Sequence, residues 1–211
     1  MIRDEIRDFV LEREIEYLVH FTQANNLPSI MKYGLCSVDY LNSKNIEYRN
    51  NDQLRLDKRT DYVSLSIQFP NYKMFYRYRR NNENSEWAVL SIDKSLLWKK
   101  DCAFCKTNAA NIEVSEKNLD SLKDVTSLKE MFADLPGKYT RNEMNLSSGD
   151  PTDVQAEVLV FEKIEPEFIF CVTFEDEALK NKYEGLFIGK EVKLTNKGKG
   201  FFASRGFVRN G

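Results

Sequence analysis

The 211-residue chain reads as an α+β protein. Strand-like runs such as DYVSLSIQF, EWAVLSID, QAEVLVF and EFIFCVTF follow one another with little helical sequence between them, which favours an antiparallel or mixed sheet over alternating βα units. Helical periodicity is confined to a few segments. No repeat, linker or low-complexity stretch divides the chain, so residues 1–211 are expected to form one domain.

Each element has its own signal. Ile2, Ile6, Phe9, Val10, Arg13 and Tyr17 recur at helical spacing and predict an amphipathic opening helix over residues 2–18. YLVHFT predicts a short buried strand. In NNLPSIMKYGL, Asn26 is a candidate N-cap, Pro28 falls in the first turn, Ile30 and Met31 face inward and Gly34 supplies a stop, which together predict a short helix. Residues 38–59 are polar and Asn-rich and predict a long surface loop. DYVSLSIQF predicts a strand ended by the Pro70–Asn71 turn, KMFYRYR a further strand or short helix, and EWAVLSIDKSLLW a strand running into a helical turn. Leu119, Leu122, Val125, Leu128 and Phe132, three or four residues apart, predict a helix over residues 115–133. LPGKYTRNEMNLSSGDPTDV is turn chemistry throughout and predicts a surface loop leading straight into the strand QAEVLVF. EFIFCVTF and the pair GLFIG with EVKL predict the closing strands.

Composition removes several classes. Hydrophobic residues are 42% of the chain, with 9 Gly and 5 Pro, which excludes disordered and fibrous proteins. No stretch approaches the ~20 apolar residues of a membrane span, and the charged N-terminus lacks the apolar core of a signal peptide, so a cytoplasmic protein with no membrane partner is expected. CAFC, with Cys102 and Cys105, has the spacing of half a zinc site or a redox pair. The chain has 1 His and its other cysteines, Cys36 and Cys171, are scattered, which favours structural thiols and no metal.

Formal net charge is −2, so no global basic field advertises nucleic acid. Two local segments differ from that average. YKMFYRYRR, residues 72–80, interleaves rings with Arg77 and Arg79. After Val192 there is no acid, while Lys193, Lys197, Lys199, Arg205 and Arg209 alternate with Phe201, Phe202 and Phe207. Cations for phosphates beside rings for bases are what a single-strand surface requires, although a solvated strand and a frayed tail would look the same.

The common catalytic motifs are missing: there is no P-loop, GxGxxG, HExxH or GxSxG. What remains is a sparse polar set on apolar elements. His20 and Thr22 are two apart on one strand and project from the same side, Arg55 lies in the polar loop, and Glu157 opens the strand EVLVF behind a long loop.

VHFTQANNLPSIMKYGL resembles the NAD-binding signature of the DarT family, bacterial toxins that ADP-ribosylate single-stranded DNA. NDQLRLD, VSLSIQFPNYKMFYRYR, CKTNAA and DPTDVQAEVLV resemble further blocks of that family in the same order, from about Tyr17 to about Phe174. The resemblance implies an ADP-ribosyltransferase fold with two small, mostly antiparallel sheets framing a NAD cleft. It also implies NAD as co-substrate, single-stranded DNA as target, with thymidine the favoured base, and a macrodomain antitoxin of the DarG kind as partner. A guanosine- or RNA-directed transferase and a non-enzymatic single-strand binder are the alternatives.

On that resemblance Glu157 is the catalytic carboxylate and Arg55 the arginine that contacts NAD and the reacting base, with Arg59 as its alternative one turn away. His20, Thr22, Asn26, Gly34 and Leu35 would contact NAD, and Met74 and Tyr76 would line the same cleft. The loop from Leu135 to Val154 would recognise the target through Lys138, Tyr139 and Arg141, helped by Arg77 and Arg79. Some members of the family carry a second active-site histidine, for which this chain has no counterpart.

Overall fold

The computed structural model describes residues 2–48, 59–81 and 86–210. Its frame is a seven-stranded sheet of order β5-β6-β3-β1-β4-β8-β9, built from β1 (Tyr17–Gln23), β3 (Tyr62–Ile67), β4 (Trp87–Asp93), β5 (Cys102–Cys105), β6 (Glu157–Phe161), β8 (Ile169–Phe174) and β9 (Glu191–Leu194). A two-stranded ribbon joins β2 (Leu35–Cys36) to β7 (Lys163–Ile164). Every pairing is antiparallel except that of β8 with β9.

The large sheet has a seam. β1 pairs with β4 along its whole length, from Tyr17↔Asp93 to Gln23↔Trp87, but with β3 at Leu18↔Ile67 and Val19↔Ser66. Beyond that seam β1 and β3 diverge, so β5-β6-β3 and β1-β4-β8-β9 behave as two half-sheets hinged at a short contact. The two sheets expected from the resemblance are thus continuous at one point.

Helices cover both faces: α1 (Ile2–Glu12), α2 (Leu27–Tyr33), α3 (Val38–Ser43), α4 (Tyr72–Asn81), α5 (Leu96–Lys99), α6 (Ile112–Ser115), α7 (Val125–Glu130), α8 (Glu177–Tyr183) and α9 (Arg205–Asn210). Strand alternation sorts the core. Leu18, Leu65, Ile67, Leu90, Val158 and Val160 join α1 and α2 in the main cluster, whereas Val19 and Val89 point the other way, onto Phe75 of α4, Trp87 and Phe202. A third cluster packs Tyr62, Ala103, Cys105 and Leu159 on Val114 and Leu122.

Several sequence expectations are corrected or narrowed. The opening helix ends at Glu12, because Glu14 turns the chain at φ 54° into β1. The segment 38–59 is not all loop: Ser37 caps α3 by accepting a hydrogen bond from the Tyr40 amide at 3.3 Å. KMFYRYR is helix, started by Asn71, whose side chain accepts from the Met74 amide at 3.2 Å. The helix expected over 115–133 is broken into a 3-10 turn at Leu119–Leu122 and α7, because Asn118 and Asp124 each cap a new start. GLFIG is a turn, and of that pair only EVKL is a strand, joining the sheet beside β8. The cysteines are free thiols, as expected, and burial pushes Cys102 up to about 12. Among the described residues no helix is long and apolar enough to cross a membrane.

Candidate active site

Glu157 begins β6 and is 8% exposed. A buried carboxylate needs donors, and the turn after β5 supplies them. Asn108 Nδ2 donates to Oε1 at 3.2 Å and the Ala109 amide to Oε2 at 3.0 Å. The register that sets Cys105 opposite Glu157 brings this turn back over the acid. Thr107 donates to Asp153 at 2.7 Å, so the loop before β6 is fastened to the same turn. Two short segments distant in sequence therefore fix the carboxylate at the head of a rigid strand.

β3 is the wall shared between this acid and the histidine. His20 Nδ1 lies 3.0 Å from the Ser64 carbonyl, and since a carbonyl can only accept, Nδ1 carries the proton in that contact. Ser64 in turn faces Leu159, two residues beyond Glu157 on β6. The imidazole thus spans the gap where β1 leaves β3. Thr22, 3% exposed, accepts from Asn26 Nδ2 at 3.1 Å, tying the end of β1 to the start of α2. Asn26 occupies the N-cap position, yet its side chain makes no cap hydrogen bond and reaches back to Thr22 instead.

Gly34 and Leu35 lie in the α2–β2 connection. Gly34 has φ +96°, and a Cβ there would stand 2.4 Å from the Ile164 carbonyl, so the glycine permits the close packing of β2 on β7. Leu35 is a core residue opposite Ile164.

Met74 and Tyr76 lie on α4. α4 packs on the face presented by Val19 and Phe21, with the Phe21 and Phe75 rings stacked at 4.6 Å, and the intervening His20 and Thr22 alternate to the other face. Tyr76 lines a different space, a cavity of about 510 Å³ between α4 and the segment around Phe201, together with Tyr72, Lys73, Phe75 and Arg79.

The cations separate into two kinds. Arg77 and Lys138 are exposed, as is Tyr139 at 73%. Arg79 is engaged: it pairs with Glu175, donates to the Phe202 carbonyl at 2.9 Å and lies between the Phe75 and Phe202 rings. Arg141 donates to the Ser147, Ser148 and Asp150 carbonyls at 2.8, 3.2 and 2.6 Å and to Thr152 Oγ1 at 3.1 Å, so its guanidinium closes its own loop. Arg59 is 8% exposed and donates to the Val114, Ser115 and Lys117 carbonyls at 3.0, 3.4 and 3.2 Å, closing the end of α6. Arg55 lies outside the described residues.

The C-terminal segment departs furthest from what the sequence predicts. Arg205, 5% exposed, and Arg209 hold the loop before β6, Arg205 through the Pro151 and Thr152 carbonyls and Arg209 through Asp150, which is 0% exposed. Burial alone would push the Asp150 carboxyl up, but hydrogen bonds from Arg209 and Ser147 outweigh it and hold it below the usual carboxylate range. Asn108, Thr107, Asp150, Arg205 and Arg209 were given no role at this site by their sequence pattern. CKTNAA and DPTDVQAEVLV did mark two of the segments involved. Among the described residues no group of three His, Cys, Asp or Glu side chains is placed to hold a metal.

No curated protein sequence matches the chain. Solved structures of DarT proteins share the fold. Thermus sp. 2.9 DarT in complex with ADP-ribosylated ssDNA aligns at a TM-score of 0.62 with 14% identity, over 86% of this chain and 95% of that one. The same Thermus protein in complex with NAD+ gives 0.53 with 14% identity, over 86% and 96%. Thermosipho africanus DarTG in complex with ADP-ribose gives 0.57 with 16% identity over 89% of this chain, which spans 51% of the DarTG chain. The sequence model described as "ssDNA thymidine ADP-ribosyltransferase, DarT" matches residues 19–199, which contain His20, the loop of residues 141–154 and Glu157, and the chain therefore belongs to the DarT family.

Proposed function

We propose that this chain transfers ADP-ribose from NAD to a thymidine base in single-stranded DNA, with Glu157 as its catalytic carboxylate, and that one domain carries the activity. The observation that carries the assignment is the placement of Glu157: a buried acid at the head of β6, both oxygens oriented by the Asn108–Ala109 turn.

In the transfer the bond between nicotinamide and ribose breaks, nicotinamide leaves with the bonding electrons, and the anomeric carbon becomes electron-poor. A preorganised carboxylate beneath the sugar stabilises that charge and accepts a hydrogen bond from a ribose hydroxyl. The base nitrogen then bonds to the anomeric carbon and loses its proton, which Glu157 can take. His20, bonded to the Ser64 carbonyl, and the hydrogen-bonded pair Thr22 and Asn26 lie toward the open end of the β1–β3 seam, suited to the NAD side of the cleft. Arg55 is assigned to the pyrophosphate or the deprotonated base, where a guanidinium offers two parallel donors. The engagement of Arg59 with three carbonyls favours Arg55 for this role. Lys138 and Tyr139, exposed at the loop tip, supply a cation and a ring to an unstacked strand. A single-stranded target spares the few kcal/mol of flipping a base from a duplex.

A macrodomain antitoxin that reverses the modification is the corresponding partner, and the cytoplasm, where DNA and NAD meet, is the corresponding place. Incubation with NAD and a mixed oligonucleotide, followed by mass spectrometry, tests the reading. The oligonucleotide should gain one ADP-ribose, on thymidine-only and not guanosine-only sequences, and Glu157→Ala should slow transfer by about 10³-fold. Undiminished transfer by that variant would remove Glu157 from the chemistry, and an unmodified oligonucleotide bound equally by both proteins would make the chain a binder.

A further inference from the structure

Residues 141–154 are turn sequence, and a loop of this length has many backbone carbonyls that no sheet or helix can satisfy. Two arginines satisfy several of them, and a third grips a loop side chain. Arg141 takes Ser147, Ser148 and Asp150 from within the loop. Arg205 Nη1 donates to the Pro151 carbonyl at 2.6 Å and Nη2 to the Thr152 carbonyl at 3.0 Å. Arg209 grips Asp150 in a two-point pair, Nε to Oδ2 at 2.7 Å and Nη2 to Oδ1 at 2.8 Å. Asp150 also accepts from the Ser147 amide and hydroxyl at 3.0 and 2.8 Å, and Asn145 Nδ2 donates to the Arg209 carbonyl at 2.8 Å.

The loop is seated from below as well. Gly149 approaches Gln68 so closely that a Cβ would lie 2.2 Å from Nε2, and the Thr152 amide donates to the Met131 carbonyl at 2.9 Å. The clamp therefore divides the connection between α7 and β6 into an anchored base, residues 141–154, and the exposed tip that carries Lys138 and Tyr139.

We infer that α9 is a positioning element for the target strand: Arg205 through the Pro151 and Thr152 carbonyls, and Arg209 through Asp150, pre-order the loop base so that the tip meets single-stranded DNA without first paying its ordering entropy. This rests on the functional reading above. Arg209 is a positioning residue, since it touches the loop and not the substrate. A loop already held in its bound shape binds more tightly than one that must be ordered on contact.

Arg209→Ala and Arg209→Lys test the clamp, by steady-state transfer kinetics with NAD and oligonucleotide varied separately and by amide hydrogen exchange. In R209A the KM for oligonucleotide should rise about tenfold while the KM for NAD stays within about twofold, and exchange in residues 141–154 should quicken while β1 and β4 stay protected. R209K, which keeps the charge and loses the fork, should fall between parent and R209A. An inactive fraction of protein cannot change a KM, so general unfolding does not imitate this result. An unchanged oligonucleotide KM, an equal rise in both KM values, or unchanged loop exchange overturns the clamp alone. A parent protein that modifies no oligonucleotide overturns the functional reading instead.

Discussion

The helix of residues 72–81 and the C-terminal stretch of residues 193–209 both interleave cations with rings, yet they meet the solvent differently. On α4, Lys73, Arg77 and Tyr76 face outward and Arg79 alone is drawn inward, to Glu175 and the Phe202 carbonyl. In the C-terminal stretch, Arg205 and Phe202 are buried and Arg209 is committed to Asp150. The difference follows from what each segment lies against. α4 rests on a strand face whose backbone is already paired, whereas α9 rests on a loop whose carbonyls need donors. Cations beside rings thus describe a potential nucleic-acid surface only where no nearby backbone claims them.

Arg205→Ala should widen this contrast most. It strips donors from two buried carbonyls and should lower stability by about 2–3 kcal/mol, read as a shifted denaturant midpoint at constant slope. A change within about 0.5 kcal/mol would return Arg205 to the class of solvent-facing cations. Asp150→Asn probes the same anchor through pH. Because the folded carboxyl lies below its ordinary 3.8, its contribution is fully present above that value and disappears as the pH falls through the lower, folded one. The parent should therefore lose more stability than D150N below about pH 4, and parallel acid titrations of the two would remove the Arg209 pair from the account. The smallest effect on stability belongs to Lys73→Ala combined with Arg77→Ala, within about 0.5 kcal/mol. That pair should instead flatten the salt dependence of single-strand binding, by about 0.7 in log–log slope for each phosphate no longer neutralised. An unaltered slope would show that α4 does not track the strand.

The strands carrying the site were readable because their patterns are local: EVLVF is an apolar run behind one acid and VSLSI alternates, each within five residues. Glu157 stood out for the same reason, as an acid at the start of an apolar run. The turn that holds it was less visible, since Asn108 reaches it only after β5 and β6 pair, across 49 positions. YKMFYRYRR does not declare itself helix or strand, and Asn71 capping decided for helix, packed on the Val19 and Phe21 face of β1.

The amino-acid sequence by itself determined the α+β class, the strand that presents the carboxylate and the block pattern of the family. Local periodicity and short motifs need no knowledge of distant partners. The tertiary structure alone decided which arginines remain available to a ligand. Arg205 meets Pro151 across 54 positions and Arg209 meets Asp150 across 59, and a carbonyl left over by a turn has no signature in the residues that turn there.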